Sequence, residues 1–185
     1  MSDTDRNYLS IADVVGRSYQ DLRVDPAAEG HDPREFDDTL KLSHARNITI
    51  NGLVVNGGSE NAIDMNRGCA GVRIDHATLV GGDHCAVVIK GGSYDIALER
   101  VTIHRERSAY DIELGGWSDQ SMERTRRVVL ADVRRSDGEP VRVVVGHADR
   151  PTIVGGRVRV LFWRSLALKA FWTVRFLANK WRNKQ

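Results

Sequence analysis

The segment Gly81–Gly92, GGDHCAVVIKGG, holds the most reactive group of side chains in the chain. It places a carboxylate, an imidazole and a thiol on consecutive residues, Asp83, His84 and Cys85. His104 falls at a comparable turn further along the chain, and Glu106 follows it closely. We expect Asp83, His84, His104 and Glu106 to form a small polar patch that binds a ligand.

A second candidate lies in the segment Trp117–Thr125, which adds about eight residues to an otherwise regular spacing. An insertion in a repeat usually forms a loop on one face, where binding residues are often found. The indole of Trp117 could stack on a sugar ring or contact a partner protein, or it could fold back over the insertion. Trp117 therefore joins the candidate ligand-binding residues.

The elements that position these residues are predicted to be strands of a repeat. Apolar residues recur every 24 residues in four columns: Ile48/Val72/Ile96, Ile50/Ile74/Leu98, Leu53/Ala77/Val101 and Val55/Leu79/Ile103. Within each repeat, apolar and polar residues alternate, which is strand spacing. A second strand-like unit precedes each repeat, from Leu40 and Leu42 to Val143 and Val145. A fixed period in the twenties is typical of a solenoid, whose coils stack about 4.8 Å apart into a continuous core.

NITINGLVV, followed by coils of about 24 residues, resembles the right-handed parallel β-helix superfamily of pectate lyases, polygalacturonases and phage tailspikes. The resemblance covers about Asp38 to Val160. It implies an all-β fold, a short right-handed parallel β-helix of about five coils. It says little about function, because one fold hosts many unrelated activities.

Within Gly81–Gly92, the residues also resemble the polygalacturonase motif in which Gly-Asp-Asp-Cys precedes a strand ending in Lys. Asp83 and Cys85 match that motif, whereas His84 replaces the second Asp, the position that would carry the catalytic acid. The upstream Asn-Thr-Asp element is matched only loosely, and the downstream His-Gly pair is absent near Ser108–Asp111. We therefore expect no active polygalacturonase.

A lyase of this superfamily would need clustered acidic residues that bind Ca²⁺ and a basic residue that abstracts a proton. Asp64 and Glu113 share an outward column, but Val88 lies between them, and two coil spacings put them roughly 10 Å apart. Arg73 and Lys90 lie in other columns. The two cysteines do not share a column, so no disulfide is expected. The pattern predicts neither a metal site nor a cofactor.

The chain divides into residues 1–37, an N-terminal arm and cap helix, residues 38–160, the β-helix, and residues 161–185, a basic amphipathic C-terminal helix. Apolar residues between Tyr8 and Leu22 predict the short cap helix, which would cover the open end of the stacked strands or, alternatively, bind a partner. From Arg157 to Gln185 the chain carries eight Lys or Arg residues and no Asp or Glu. Apolar residues there follow helical spacing from Trp163 to Trp181.

Three residues of the C-terminal helix, Leu168, Trp172 and Phe176, project away from its main apolar stripe and are predicted interface residues. They favour a helix that caps the end of the coils and also takes part in self-association or in contact with another structural protein. A membrane surface is an alternative partner for this basic helix, and a polysaccharide is one for the coil faces. Nucleic acid is disfavoured, and charged residues interrupt the run that a membrane span would need.

The overall composition, with 41% hydrophobic and 28% charged residues, is that of a soluble globular protein. The polar start MSDTDRNYLS has no signal-peptide pattern, which favours the cytoplasm or a virion. These observations predict a non-catalytic structural or binding module, such as a phage virion or tail-associated assembly protein. The alternative is a polysaccharide lyase or glycoside hydrolase of the pectate lyase or polygalacturonase type.

Overall fold

The computed structural model describes residues 7–57, 60–104, 110–116 and 123–162. Most of these residues form strands of two parallel sheets. The first sheet contains, in spatial order, β1 (Asn7–Ala12), β4 (Asp38–Ser43), β6 (Asn61–Asn66), β8 (Cys85–Ile89), β10 (Ile112–Leu114), β13 (Val141–Val145) and β15 (Val158–Phe162). The second contains β2 (Ser18–Gln20), β5 (Arg46–Asn56), β7 (Ala70–Val80), β9 (Tyr94–His104), β11 (Arg126–Ala131) and β14 (Thr152–Val154), with β3 (Arg23–Val24) beside β5 and β12 (Arg134–Arg135) beside β9.

From β4 to β11 the chain passes alternately through the two sheets, so that each coil adds one strand to each sheet. Every pairing found among the described strands is parallel. In the second sheet, Ile48 pairs with Val72 and Val72 with Ile96, and the other three predicted columns pair in the same way. The predicted 24-residue register of β5, β7 and β9 is therefore confirmed.

The core lies between the two sheets and is made of these columns. In the first sheet, Leu40, Ile63, Val87, Ile112 and Val143 follow one another from strand to strand. All of them are fully buried, as are the column residues of the second sheet from Ile48 onward. Burying a side chain of this size contributes about 1.5–3 kcal/mol. The stacked columns therefore stabilise the fold along its whole length.

The long strands β5, β7 and β9 each bend at two left-handed residues, one near the start of the strand and one near its middle. Near the middle, Gly52, His76 and Arg100 occupy equivalent positions and have φ angles of 75°, 54° and 51°. The left-handed conformation costs a residue other than glycine roughly 1–2 kcal/mol. The bend near the middle therefore depends on the packing of neighbouring coils and is not a local preference of His76 or Arg100.

The predicted fold class requires a correction at the N-terminus. The segment Tyr8–Leu22, predicted as a cap helix, contains β1 and β2, and Leu9 and Ile11 pair with Leu40 and Leu42. Asp13 and Gly16 have φ angles of 55° and 66°, which a continuous right-handed helix does not allow. The alternation of Leu9 and Ile11 was thus a strand signal, and it adds a further level to both sheets.

The prediction of a five-coil β-helix between two helices is therefore replaced by two parallel sheets of seven and eight strands. Helical structure in the described residues is limited to two 3-10 turns, Ala27–Glu29 and Pro33–Glu35. The predicted C-terminal helix begins within β15, and residues 163–185 lie outside the described residues. Across the described part of the chain, no helix has the length and apolar character required to cross a membrane.

Candidate functional site

The outer face of the first sheet is buried although it points away from the core. Every residue of β4, β6, β8 and β10 is buried, on both faces of the sheet. The outward column runs from Lys41 through Asp64, Val88 and Glu113 to Val144. Because a buried charge is costly unless it is paired, this face must be organised by specific polar contacts.

Four charged residues form what we call the lysine–aspartate cluster: Asp38, Lys41, Asp64 and Lys90. The ammonium of Lys41 lies 3.5 Å from Oδ2 of Asp38 and 3.7 Å from Oδ2 of Asp64. The ammonium of Lys90 lies 3.3 Å from the same Asp64 oxygen. Two lysines therefore face two aspartates, and the cluster can be neutral as a whole.

Burial and mutual repulsion set the ionisation of this cluster. Burial, followed by the negative charge of Asp64, raises the pKa of Asp38 to about 7, against the effect of the Asn61 amide that donates to it. Burial by itself lowers the pKa of Lys90, but the attraction of Asp64 and Asp38 outweighs it, so that the pKa is raised. Oδ1 of Asp64 is buried and has no hydrogen-bond partner among the described residues.

Beside it lies the His84 cluster, made of His84, Cys85, Tyr110 and Glu113. The hydroxyl of Tyr110 lies 2.5 Å from Nε2 of His84 and donates to Oε2 of Glu113 at 3.0 Å. Nε2 of His84 lies 3.5 Å from the same Glu113 oxygen. The rings of His84 and Tyr110 meet edge to face, with their centroids 5.4 Å apart. The cluster therefore holds a carboxylate, an imidazole and a phenol within direct contact.

Asn61 joins the two clusters. Its amide nitrogen donates to Oδ1 of Asp38 at 2.8 Å, which turns its oxygen toward the other cluster. That oxygen lies 3.3 Å from Nδ1 of His84 and accepts from the thiol of Cys85 at 3.2 Å. An amide oxygen only accepts hydrogen bonds, so Nδ1 of His84 carries the proton in this contact.

The His84 cluster has two properties of a reactive site. Burial raises the pKa of Glu113 to about 7, although the hydrogen bond from Tyr110 and the charge of Lys90 act in the opposite direction. Near neutral pH, Glu113 can therefore give or take a proton. The side chain of His84 is 29% exposed, whereas Glu113 is almost fully buried. Solvent therefore reaches the cluster at His84.

Of the predicted ligand-binding residues, the described part of the structure brings only His84 into a polar cluster. His84 lies in a polar cluster, but its described contacts are Asn61, Tyr110 and Glu113. Asp83 is exposed beside it, and His104 is the exposed last residue of β9, opposite Val80. Glu106 and Trp117 lie outside the described residues, as do the predicted interface residues Leu168, Trp172 and Phe176.

The predicted column of Asp64 and Glu113 is confirmed, whereas the prediction for Lys90 is incomplete. Asp64 and Glu113 share an outward column with Val88 between them. Lys90 does lie outside that column, but its long side chain still reaches Asp64. Sequence reasoning missed Lys41, although Lys41 stands in register with Asp64, directly beside the apolar pair Leu40 and Ile63. Tyr110 was missed because the segment before β10 has no repeat pattern.

Comparisons with the models of known protein families, with curated proteins and with solved structures found no match. What bears on function is therefore the chemistry of the first sheet's outer face and the exposed surfaces of the two sheets.

Proposed function

We propose that the chain is a non-catalytic structural or binding module that associates with copies of itself, as a virion or phage-tail component does. The observation that carries this proposal is the apolar C-terminal end of the two sheets. β14 and β15 are the last strands of their sheets, and each pairs with one neighbour among the described strands. Ile153, Val154 and Phe162 on these strands are 36%, 55% and 46% exposed.

An exposed strand edge offers a row of backbone hydrogen-bonding groups to another chain. Exposed apolar side chains on the same strands add surface that is stabilised when water is excluded from it. The predicted interface residues Leu168, Trp172 and Phe176 follow β15 closely in the sequence. This end of the molecule therefore combines both features of an assembly surface.

The lysine–aspartate cluster supports a role without catalysis. A glycoside hydrolase needs two carboxyl groups that reach the bond to be cleaved. The carboxylate of Asp64 is buried and held between Lys41 and Lys90, and Asp38 is buried beside Lys41. These carboxyl groups belong to the ion-pair network of a buried sheet face and are not presented to a substrate. A polysaccharide or a membrane surface remains a further proposed partner.

The test is the mass of the full chain in solution, measured by light scattering after gel filtration. We expect a defined oligomer at micromolar concentration. The double variant Ile153→Thr, Phe162→Thr and the triple variant Leu168→Ser, Trp172→Ser, Phe176→Ser should shift it toward the monomer. Val54→Thr, on the outer face of the second sheet, is the matched control and should leave the mass unchanged. A monomeric wild-type chain would contradict the proposal.

The second candidate function is a polysaccharide lyase or glycoside hydrolase, favoured by the contact between Glu113, Tyr110 and His84. A carboxyl group with a pKa of about 7 suits general acid or base catalysis near neutral pH. The test is incubation of the full chain with a panel of acidic polysaccharides, following unsaturated products and new reducing ends. Turnover that disappears in Glu113→Gln would establish this function; no turnover of any polymer would exclude it for that panel.

A further inference from the structure

We propose that His84, Cys85 and Glu113 bind a zinc ion. The three residues offer one ligand atom each, and these atoms lie within 4.8 Å of one another. They are the group of three potential metal ligands found among the described residues. This inference is independent of the association proposed above, because the cluster lies on the first sheet at β8 and β10 and not at the C-terminal end.

The strand geometry brings the ligands together. His84 and Cys85 are consecutive at the start of β8, and Glu113 is the central residue of β10, the neighbouring strand. Nε2 of His84 lies 3.5 Å from Oε2 of Glu113. Donor atoms on a tetrahedral zinc ion are about 3.3–3.8 Å apart, given zinc–ligand distances of roughly 2.0–2.3 Å. Small side-chain rotations therefore suffice to close the site.

The donor set selects the class of metal. One imidazole nitrogen, one thiolate sulfur and one carboxylate oxygen suit a borderline ion such as Zn²⁺, whereas Mg²⁺ and Ca²⁺ prefer oxygen ligands alone. Three protein ligands also leave a fourth position, which water occupies in many zinc sites. The hydroxyl of Tyr110, in contact with both His84 and Glu113, borders that position.

The surrounding groups orient the ligands in the way zinc sites require. The contact of Nδ1 of His84 with the Asn61 oxygen fixes the ring, and it leaves Nε2 facing the Tyr110 hydroxyl at 2.5 Å and Oε2 of Glu113 at 3.5 Å. Such an outer hydrogen bond to a ligating histidine is a regular feature of metal sites. Asn61 is itself held by Asp38. Cys85 and Glu113 are buried, and the partly exposed His84 gives the ion its route of entry.

The test is a zinc titration of the full chain after removal of metal by a chelator, in competition with a chromogenic zinc indicator. We expect one ion per chain. Cys85→Ser should weaken zinc binding by at least about tenfold, since loss of even an outer partner costs 10–100-fold. The matched control is Cys69→Ser: Cys69 is also buried and its thiol also donates to backbone carbonyls, but it does not belong to the group of three ligands. Its titration should equal that of the wild type.

Cobalt provides a second readout that reports the thiolate directly. Co²⁺ in the same site should give intense visible bands and a near-ultraviolet sulfur-to-cobalt charge-transfer band, and Cys85→Ser should remove the latter. If Cys85→Ser does not fold, as judged by circular dichroism, His84→Gln replaces it, because His84 is partly exposed. Absence of stoichiometric zinc binding by the wild type would overturn the proposal, as would equal binding by the wild type and the folded ligand variant.

Discussion

The ammonium of Lys90, the residue that follows β8, lies 3.3 Å from Oδ2 of Asp64 on the neighbouring strand β6, diagonally across the sheet. Lys41 approaches the same oxygen from the other side at 3.7 Å. The side chain of Asp64 is 2% exposed, that of Lys41 is 7% exposed and that of Lys90 is 34% exposed. The outer face of the first sheet is therefore an ion-pair network in which Lys41 is the buried cation and Lys90 the partly solvated one.

This difference in burial predicts different costs for removing the two lysines. Lys41→Met should lower the free energy of unfolding by about 3–5 kcal/mol, because it removes the buried cation that faces both Asp38 and Asp64. Lys90→Met should cost clearly less, since water already screens part of its charge. Urea unfolding of each variant measures both values. Adding Asp64→Asn to Lys41→Met should recover part of the loss, and equal costs for the two lysines would contradict this account.

The raised pKa of Asp38, about 7, predicts a stability that depends on pH. Between about pH 4 and pH 7 the folded chain holds a proton on Asp38 that the unfolded chain has lost. The stability from this group is therefore complete below about pH 4 and is lost as the pH rises through about 7. Urea unfolding of the metal-free chain across this range should show a smaller decline for Asp38→Asn than for the wild type.

Asp137 provides a control, because its pKa is shifted in the opposite direction to that of Asp38. The Arg135 guanidinium, which donates to this carboxylate, lowers the pKa of Asp137 to about 2. The stability that Asp137 contributes is present above about pH 4 and is lost as the pH falls through about 2. Asp137→Asn should therefore keep the wild-type decline between about pH 4 and pH 7. If the two variants behave alike, Asp38 is not the titrating group.

Close packing of the turns predicts that two glycines respond differently to alanine. A Cβ atom at Gly115, where φ is 84°, would lie 2.3 Å from the carbonyl carbon of His147. A Cβ atom at Gly138, where φ is 78°, would meet no atom within 4 Å. Gly138→Ala should cost about 1–2 kcal/mol for the left-handed conformation alone. Gly115→Ala should cost clearly more, and similar midpoints in thermal unfolding would contradict the packing at this turn.

The packed column of Ile50, Ile74 and Leu98 predicts how strongly a core substitution lowers the free energy of unfolding. Ile74 lies between them, fully buried. Ile74→Ala should cost about 2–5 kcal/mol, because it removes methyl groups from a packed column, and Ile74→Asp should prevent folding. The adjacent Arg73 points outward and makes a partly exposed ion pair with Glu99, so Arg73→Ala should change the free energy of unfolding by no more than about 1 kcal/mol. A folded Ile74→Asp chain, detected by its circular dichroism, would show that the register is wrong.

The sequence predicted the strand register because repetition is a strong signal. Ile48, Val72 and Ile96 can be aligned without knowing the structure, and the same offset places every intervening residue. The N-terminal helix was predicted wrongly because Leu9 and Ile11 precede the first recognisable repeat. Their alternation is short, and apolar residues further along the segment also matched a helical spacing. Only the pairing with Leu40 and Leu42 distinguishes the two patterns.

The candidate site was harder to predict from the sequence than the fold, because its contacts are diagonal or lie at irregular turns. A register predicts that Asp64 neighbours Lys41, but it does not show how far the side chain of Lys90 extends. Tyr110 reaches His84 from a segment without periodicity. Asp83 matches a catalytic motif, but it is exposed in the structure. The neighbouring His84, which departs from that motif, contacts Asn61 and Tyr110.

Because the offset between β5, β7 and β9 is constant, the length of the stack of strands can change by whole repeats. Val72 faces Ile48 on one side and Ile96 on the other, and each partner is 24 residues away. A chain shortened by this one repeat would bring Ile48 opposite Ile96, with every other column still matched. Gain or loss of whole repeats would thus alter the molecule's reach in steps of about 4.8 Å while leaving its cross-section the same.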